Sequence, residues 1–467
     1  MLRRVKENGF GWYEKWMLNI LIVSVLVFCI QPLSAQFYNG SQLSFGKNRV
    51  QYQDQNWEYY RTEQFDVYFY PTGKELAEYV LWKAPSEIDE IEKMLNYTST
   101  KKIQFIVYNT QSDFRESNFA YDNEDFYNQG GVTNIYGTKV YLYFDGDRSH
   151  FDRMLRAGIM NLYAHWVING TSVGANISSE SLLDVPNWYF SGLSSYIGEE
   201  WNSTVDAYVK SGILTEKYAD FDELSPVDAM YAGHSFWKYV GDRFGRNSIA
   251  AILFATRSYR SHERGFYSVT GTPYKQLLID WYRYYYVLYK KDLKRDKPEG
   301  DGLLKRPKVK RDYSQFRLSP DGKSYAYVTN EAGKVTIWMY HEGDKKPRRI
   351  YHRFHKTEDN PDLTFPLLAW HPNGNILGFT IEDAGRCYYY PYNIEEKKCE
   401  KRLLVDVEKI TDISFSTDGK LLLFSGFLKG QSDIFVYSLR ARTFQNLTND
   451  FYDDYAPRFI NNNKQMP

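Results

Sequence analysis

The chain has 467 residues, 43% hydrophobic and 25% charged, enough for two or three globular domains. Its 58 Lys and Arg balance 58 Asp and Glu, so a basic surface that would grip nucleic acid irrespective of sequence is not expected. Aromatic residues make up 18%, with 42 Tyr, which suits β-rich structure and also wet partner or glycan contacts.

In chain order, the N-terminus reads as a secretory signal. Arg3, Arg4, Lys6 and Lys15 form a basic segment, and residues 18–30 are apolar but short for a membrane span. Ser34-Ala35 offer a cleavage site before Gln36, and Met17 is an alternative start. No Cys follows the cleavage site, so lipid attachment is not supported. Residues 36–60 are Gln-, Asn- and aromatic-rich and are expected to lie as an extended arm on the first domain. Residues 65–70 alternate as a strand. Leu76, Val80, Ile88, Ile91 and Leu95 then recur at helical spacing, with Pro85 expected to kink or divide the helix. Residues 102–109 and 139–144 are further strands. From His150 to Tyr289 the pattern is helical, with Asp184 and Asn202 or Ser203 as helix-capping residues.

The stretch 155–196 organises this half. Pro186, Trp188, Gly192 and Tyr196 match a P-x-W-x-x-E-G-x-A-x-Y helix, with Ser194 for the Ala. The segment YAGHSFWKYVGDRFG, residues 231–245, is of a kind found behind such a helix. On these motifs, residues 61–290 resemble a gluzincin-type zinc peptidase. The resemblance implies an α+β zincin-like fold, in which an H-E-x-x-H helix and a second-helix Glu hold zinc. Aligned so, Ala157 and Asn161 replace the two His, Gly158 replaces the general base and Ser191 replaces the Glu. No H-E-x-x-H, H-x-x-E-H or Walker loop occurs in the chain. The resemblance therefore implies a pseudopeptidase with neither metal nor cofactor. Asn161, His165, Trp188, Ser191, Tyr196 and His234 are the candidates for lining its retained cleft, which is expected to hold a partner strand.

Residues 291–311 are charged and Pro/Gly-containing, the mark of a solvated linker. From residue 312 the chain repeats. Turns at Gly322, Gly374 and Gly419 lie about 45 to 50 residues apart, each followed by an apolar strand and then an aromatic one. The three copies resemble TolB-type β-propeller blades, and residues 453–465 resemble the opening of a fourth, with Phe459 matching Phe415. The propeller is thus expected to be incomplete in this chain. Cys387 and Cys399 flank a hairpin whose register sets Cys399 opposite Tyr392, which does not favour a disulfide.

The combination resembles TolB-like translocation-type envelope proteins of the Bacteroidetes sort. It implies a periplasmic or outer-membrane-associated binding scaffold with envelope proteins as partners, without nucleic acid, and at the membrane only through those partners. An active zinc-type peptidase with an unusual site and a glycan-binding protein are the alternatives. N-terminal sequencing of the mature protein is expected to begin at Gln36; a mature chain retaining Met1 or Met17 would show that no signal is removed.

Overall fold

A computed structural model describes residues 55–117, 135–136, 138–170, 183, 185–294, 311–331, 333–354, 364–383, 385–399, 402–403 and 407–460. The expected signal, most of the arm, the linker from residue 295 to 310, Asp184 and residues 461–467 lie outside them. Among the described residues, no helix is long and apolar enough to cross a membrane.

The first unit is built on a five-stranded sheet with strand order β1-β2-β3-β5-β4. Edge strand β1 (Glu58–Arg61) runs antiparallel to β2 (Phe65–Phe69). β2, β3 (Ile103–Tyr108) and β5 (Lys139–Tyr143) are mutually parallel, and β4 (Ile135–Tyr136) closes the far edge antiparallel to β5. Parallel strands need crossovers that cover the sheet, and β2 is accordingly buried along its whole length. The crossover from β2 to β3 is α1 (Lys74–Leu95), which buries Leu76, Val80, Ile88, Ile91 and Leu95. It runs as one helix through Pro85, not divided in two, and ends at Asn96 in the left-handed region. After the short α2 (Gln111–Glu116), helices α3 (Arg148–Asn169), α4 (Asn187–Gly198), α5 (Ser203–Leu214), α6 (Pro226–Phe244), α7 (Asn247–Tyr259), α8 (His262–Thr270) and α9 (Tyr274–Tyr289) complete the unit. Asp147 caps α3 and Asn202 caps α5 through side-chain oxygens, as their short polar side chains favour.

The second unit is a row of separate antiparallel sheets. The first blade contains β6 (Asp312–Leu318), β7 (Ser324–Glu331), β8 (Lys334–His341) and β9 (Arg348–Phe354). The second contains β10 (Leu367–Trp370), β11 (Ile376–Asp383) and β12 (Arg386–Asn393), with β13 (Lys398–Cys399) and β14 (Arg402–Leu403) both pairing to β12. The third contains β15 (Lys409–Phe415), β16 (Leu421–Leu428), β17 (Gln431–Ser438) and β18 (Thr443–Asn446). Each repeat's opening turn needs its Gly, because Gly322, Gly374 and Gly419 have φ of +73°, +75° and +71°. In the first and third blades a Ser closes the turn. Ser319 and Ser416 hydroxyls donate to Asp321 and Asp418 at 2.6 and 2.7 Å, and accept the backbone N–H of Ser324 and Leu421. Cys399 faces Tyr392 across the β12–β13 hairpin, and both Cys387 and Cys399 are free thiols.

Adjacent blades share one packing rule. Ala326 and Val328 of β7 pack with Leu377 and Phe379 of β11. In the next pair, Tyr389 of the second blade packs with Leu422 and Phe424 of the third. The positions of the first blade that correspond to Leu377 and Phe379 are Tyr325 and Tyr327. They lie on its outer face, stacked with Phe316, Tyr340 and Tyr313 at 4.9–6.2 Å.

The two units interlock through a hydrophobic plug. Phe427 of β16 is buried in the first unit's core, 5.3 Å from the Phe144 ring. Its ring lies on Gly146, where a Cβ would sit only 2.2 Å from Phe427 Cε1. Arg148 adds a polar clamp: its backbone N–H donates to Asp453 at 2.6 Å, and its guanidinium lies 4.4 Å over Phe451. A second polar contact buries Glu408, which accepts a hydrogen bond from Asn109 at 3.2 Å. Burial, reinforced by the Asp113 carboxylate, pushes the Glu408 carboxyl up from 4.5 to about 8. The folded protein therefore holds this proton more tightly than the unfolded chain. The stability it confers is complete below pH about 4.5 and is lost as pH rises through about 8. Glu408→Gln keeps an acceptor without the charge. It is expected to flatten the loss of thermal stability between pH 5 and 8 by on the order of a few kcal/mol, read from paired melting curves.

Candidate functional site

Two contacts set how α3 and α4 lie together. A Cβ on Gly198 would come within 2.7 Å of the Ala157 Cβ, so the helices touch there with no room for a larger side chain. Farther along, the His165 ring stacks on Phe190 at 3.9 Å and 19°. Residue 157 thus sits beside 198 and 165 beside 190, an antiparallel crossing that brings Asn161 level with Ser194. Arg156 locks the crossing by donating to the Ile197 carbonyl at 2.9 Å and to Glu90 of α1 at 2.7 Å.

Along this seam, polar atoms are left over. Asn161 Oδ1, His165 Nδ1, Asn169 Oδ1 and Ser194 Oγ are all buried without a hydrogen-bond partner among the described residues. Asn161, His165 and Asn169 are four residues apart, so they form one stripe along α3. Burial pushes His165 down to about 4, so the imidazole is neutral near pH 7. Unpaired buried polar groups are costly and uncommon in folded proteins. A stripe of uncharged groups, two of them carboxamide oxygens that only accept, suits backbone N–H donors better than it suits acid–base chemistry.

The opposite face of α4 is tightly sealed against α6. A Cβ on Gly192 would fall 2.4 Å from the Gly233 backbone, and one on Gly233 would fall 2.4 Å from the Trp188 carbonyl. Trp188 is 1% exposed, donates to Asp222 at 2.9 Å and belongs to the aromatic core with Phe221 and Phe236. His234 lies 2.9 Å from the Ser195 hydroxyl through Nδ1, and burial pushes it down to about 3. This Ser–His pair lacks the order of a nucleophilic triad. The nearby acid, Glu199, is 3.5 Å from Ser195 and not on the far imidazole nitrogen, and both members of the pair are shut from solvent. Tyr196 is on the same side, its hydroxyl 2.8 Å from where a Gly241 Cβ would be and its ring edge-on to His234.

The sequence-selected residues therefore divide between two faces. Asn161 and His165 share the α3–α4 seam, whereas Trp188, Tyr196 and His234 lie on the α6 side. Ser191 is partly exposed, and its hydroxyl is engaged within its own helix, donating to the Asn187 carbonyl at 2.7 Å. Ala157 and Gly158 are buried in the helix contact. Among the described residues, no three His, Cys, Asp or Glu side chains gather at a metal-sized site. Sequence reasoning missed Asn169, Ser194 and Phe190. The four-residue spacing from Asn161 through His165 to Asn169 was the available signal for the first of them.

No protein-family model matches the chain, and no curated protein matches it. Structural neighbours are TolB-like β-propeller proteins at low coverage. TolB from Acinetobacter baumannii is 16% identical over 33% of this chain and 37% of that one, with TM-score 0.29. A TolB-type protein from Agrobacterium tumefaciens is 19% identical over 31% and 48%, with TM-score 0.26. The β-propeller domain of the Trilobed protease from Pyrococcus furiosus is 14% identical over 30% and 44%, with TM-score 0.24. The chain spans less than half the length of each of these structures.

Because the α4–α6 crossing is backbone on backbone, a methyl cannot be accommodated by a side-chain shift. Gly192→Ala is expected to destabilise the first unit by about 1–3 kcal/mol in denaturant unfolding. Ser191→Ala, one residue away on the partly exposed face, should stay within about 0.5 kcal/mol of wild type.

Proposed function

We propose that the chain is a non-catalytic binding scaffold of the cell envelope. In this reading the first unit is a gluzincin-like pseudopeptidase whose groove holds an extended partner segment, and the propeller docks a second envelope protein. The observation that carries it is the α3 stripe, where Asn161, His165 and Asn169 present buried, unpaired atoms. An extended segment brings a row of backbone N–H groups, the chemistry that such acceptors lack. The positions where the family holds zinc carry Ala157, Asn161 and Ser191. Ala has no donor atom, and neutral Asn and Ser are poor substitutes for imidazole and carboxylate. Gly158 cannot take a proton from water, which leaves the general-base position without its group. Secretion across the inner membrane to a periplasmic or outer-membrane-associated site belongs to the same proposal and rests on the N-terminal signal pattern.

The glycan-binding alternative draws on the aromatic row of the first blade. Those rings are stacked on one another at interplanar angles of 20–29°, so much of their face area is already occupied. Sugar stacking uses open ring faces, and the row corresponds to residues that pack blade on blade elsewhere. It supports a protein-docking surface better than a glycan platform.

Elemental analysis of purified protein should find zinc far below one ion per chain, and an unstructured peptide pool should be retained without chelator-sensitive cleavage. Asn161→Ala with His165→Ala should weaken that retention about tenfold, the loss of one or two hydrogen bonds. Stoichiometric zinc, cleavage abolished by a chelator, or retention unaffected by the double substitution would each count against the proposal.

A further inference from the structure

The outward side of α9 has a composition that the groove and the propeller do not use. The helix buries Tyr274, Leu277, Trp281, Tyr285 and Tyr289 against the unit, at spacings of three and four. An ordinary helix would then turn mixed charge to solvent. Here Ile279 is 58% and Val287 53% exposed, and Tyr284, Tyr286, Leu288 and Leu293 are also exposed. Exposed apolar residues scattered singly need no explanation, but a contiguous set on one element does.

The charges on the same side have one sign. Lys275, Arg283, Lys290, Lys291 and Lys294 are exposed, and none of them has an acidic partner among the described residues. The two acids of the segment are engaged by neighbouring helices. Asp280 pairs with Arg243 at 3.4 Å, and Asp292 with Lys210 at 2.8 Å. Asp242 on adjacent α6 is held by Lys238 at 2.6 Å. Ile279, Arg283 and Val287, four residues apart on α9, fall along one outward stripe, and Lys290, Lys291 and Lys294 follow it in the 3-10 helix Lys290–Lys294.

We propose that α9 is a peripheral membrane-docking helix that lies along an anionic phospholipid surface. Ile279 and Val287 enter the headgroup–acyl boundary, and Tyr284 and Tyr286 place amphipathic rings at headgroup level. The Lys side chains extend past them, their stems on apolar surface and their ammonium groups on lipid phosphates. A lipid surface fits better than a protein partner because the face is a plain convex helix. A bilayer needs no complementary pocket, and the exposed cations of the segment outnumber the exposed acids beside it, Glu216 and the Lys238-paired Asp242. This contact does not depend on the groove, and it would bring the protein to the membrane directly.

The test is co-sedimentation of the full chain with vesicles of phosphatidylcholine alone or with about one-third phosphatidylglycerol, at low and high salt. Wild type should partition to the anionic vesicles and lose much of that binding in high salt. Ile279→Glu with Val287→Glu should lower the partition by at least about tenfold, and Lys290→Glu with Lys291→Glu should bring it to the level of neutral vesicles. All four positions are exposed, so unchanged near-ultraviolet circular dichroism should accompany both losses. The second pair leaves the apolar residues intact and reads the charge contribution even where the first pair perturbs folding. Absence of wild-type binding would overturn the proposal. So would binding that both variants retain, which would place the contact elsewhere, for example in the apolar N-terminal residues. Saturable binding to an acidic protein, lost in both variants while vesicles are ignored, would also overturn it and make the face a protein-docking site.

Discussion

The close approach of Gly192 to Gly233 is the constraint on which the helical half of the first unit depends. With no side chain on either residue, α4 and α6 meet backbone to backbone, and this fixes the rotation of α4 about its axis. One face of α4 is then committed to α6, carrying Trp188 into the aromatic core and Ser195 to His234. The face toward α3 is left with Phe190 on His165 and Ser194 level with Asn161. Larger residues at either Gly would separate the helices and alter both faces at once.

That geometry separates two kinds of polar group. Ser195 and His234 Nδ1 pair in a dry interior, where burial keeps the imidazole neutral, while His234 Nε2 has no partner among the described residues. Such a pair stabilises packing and has no access to a substrate. Asn161, His165, Asn169 and Ser194 each carry an atom that pairs with nothing among the described residues. The difference between a paired and an unpaired buried group is a matter of a few kcal/mol each. Four such atoms lie along the α3–α4 seam, and one more is His234 Nε2.

The two units meet through chemistry of a different kind. Phe427 inserts into a hollow made possible by Gly146, while Glu408 is buried with only neutral or acidic company. The apolar plug is insensitive to pH and the carboxyl is not, so the same interface is permanent in shape and adjustable in strength. Arg148 stands between these contacts and ties the start of α3 to the segment after the third blade. The helix that carries the unpaired stripe is thus anchored directly to the propeller.

Much of the architecture was legible in the residues. Local periodicity located the strands and helices, since alternation and 3.6-residue spacing depend only on which face is buried. Repeated turn sequences with Gly322, Gly374 and Gly419 located the blades, because a positive φ at those points excludes most other residues. The hairpin register that set Cys399 against Tyr392 was also readable, since a short turn leaves little choice of pairing. Pro85 does not divide the helix, because a proline's local cost was met within a helix well packed on the sheet. The grouping of Trp188, Tyr196 and His234 with Asn161 depended on which way α4 turns, and no local pattern encodes that rotation. Only the Gly192–Gly233 contact, between residues 41 positions apart in the chain, decides it. Residue types and spacings in the sequence determined that no H-E-x-x-H zinc-binding pattern is present. Tertiary packing alone decided which polar atoms remain unpaired, because that depends on every neighbour that a fold brings near.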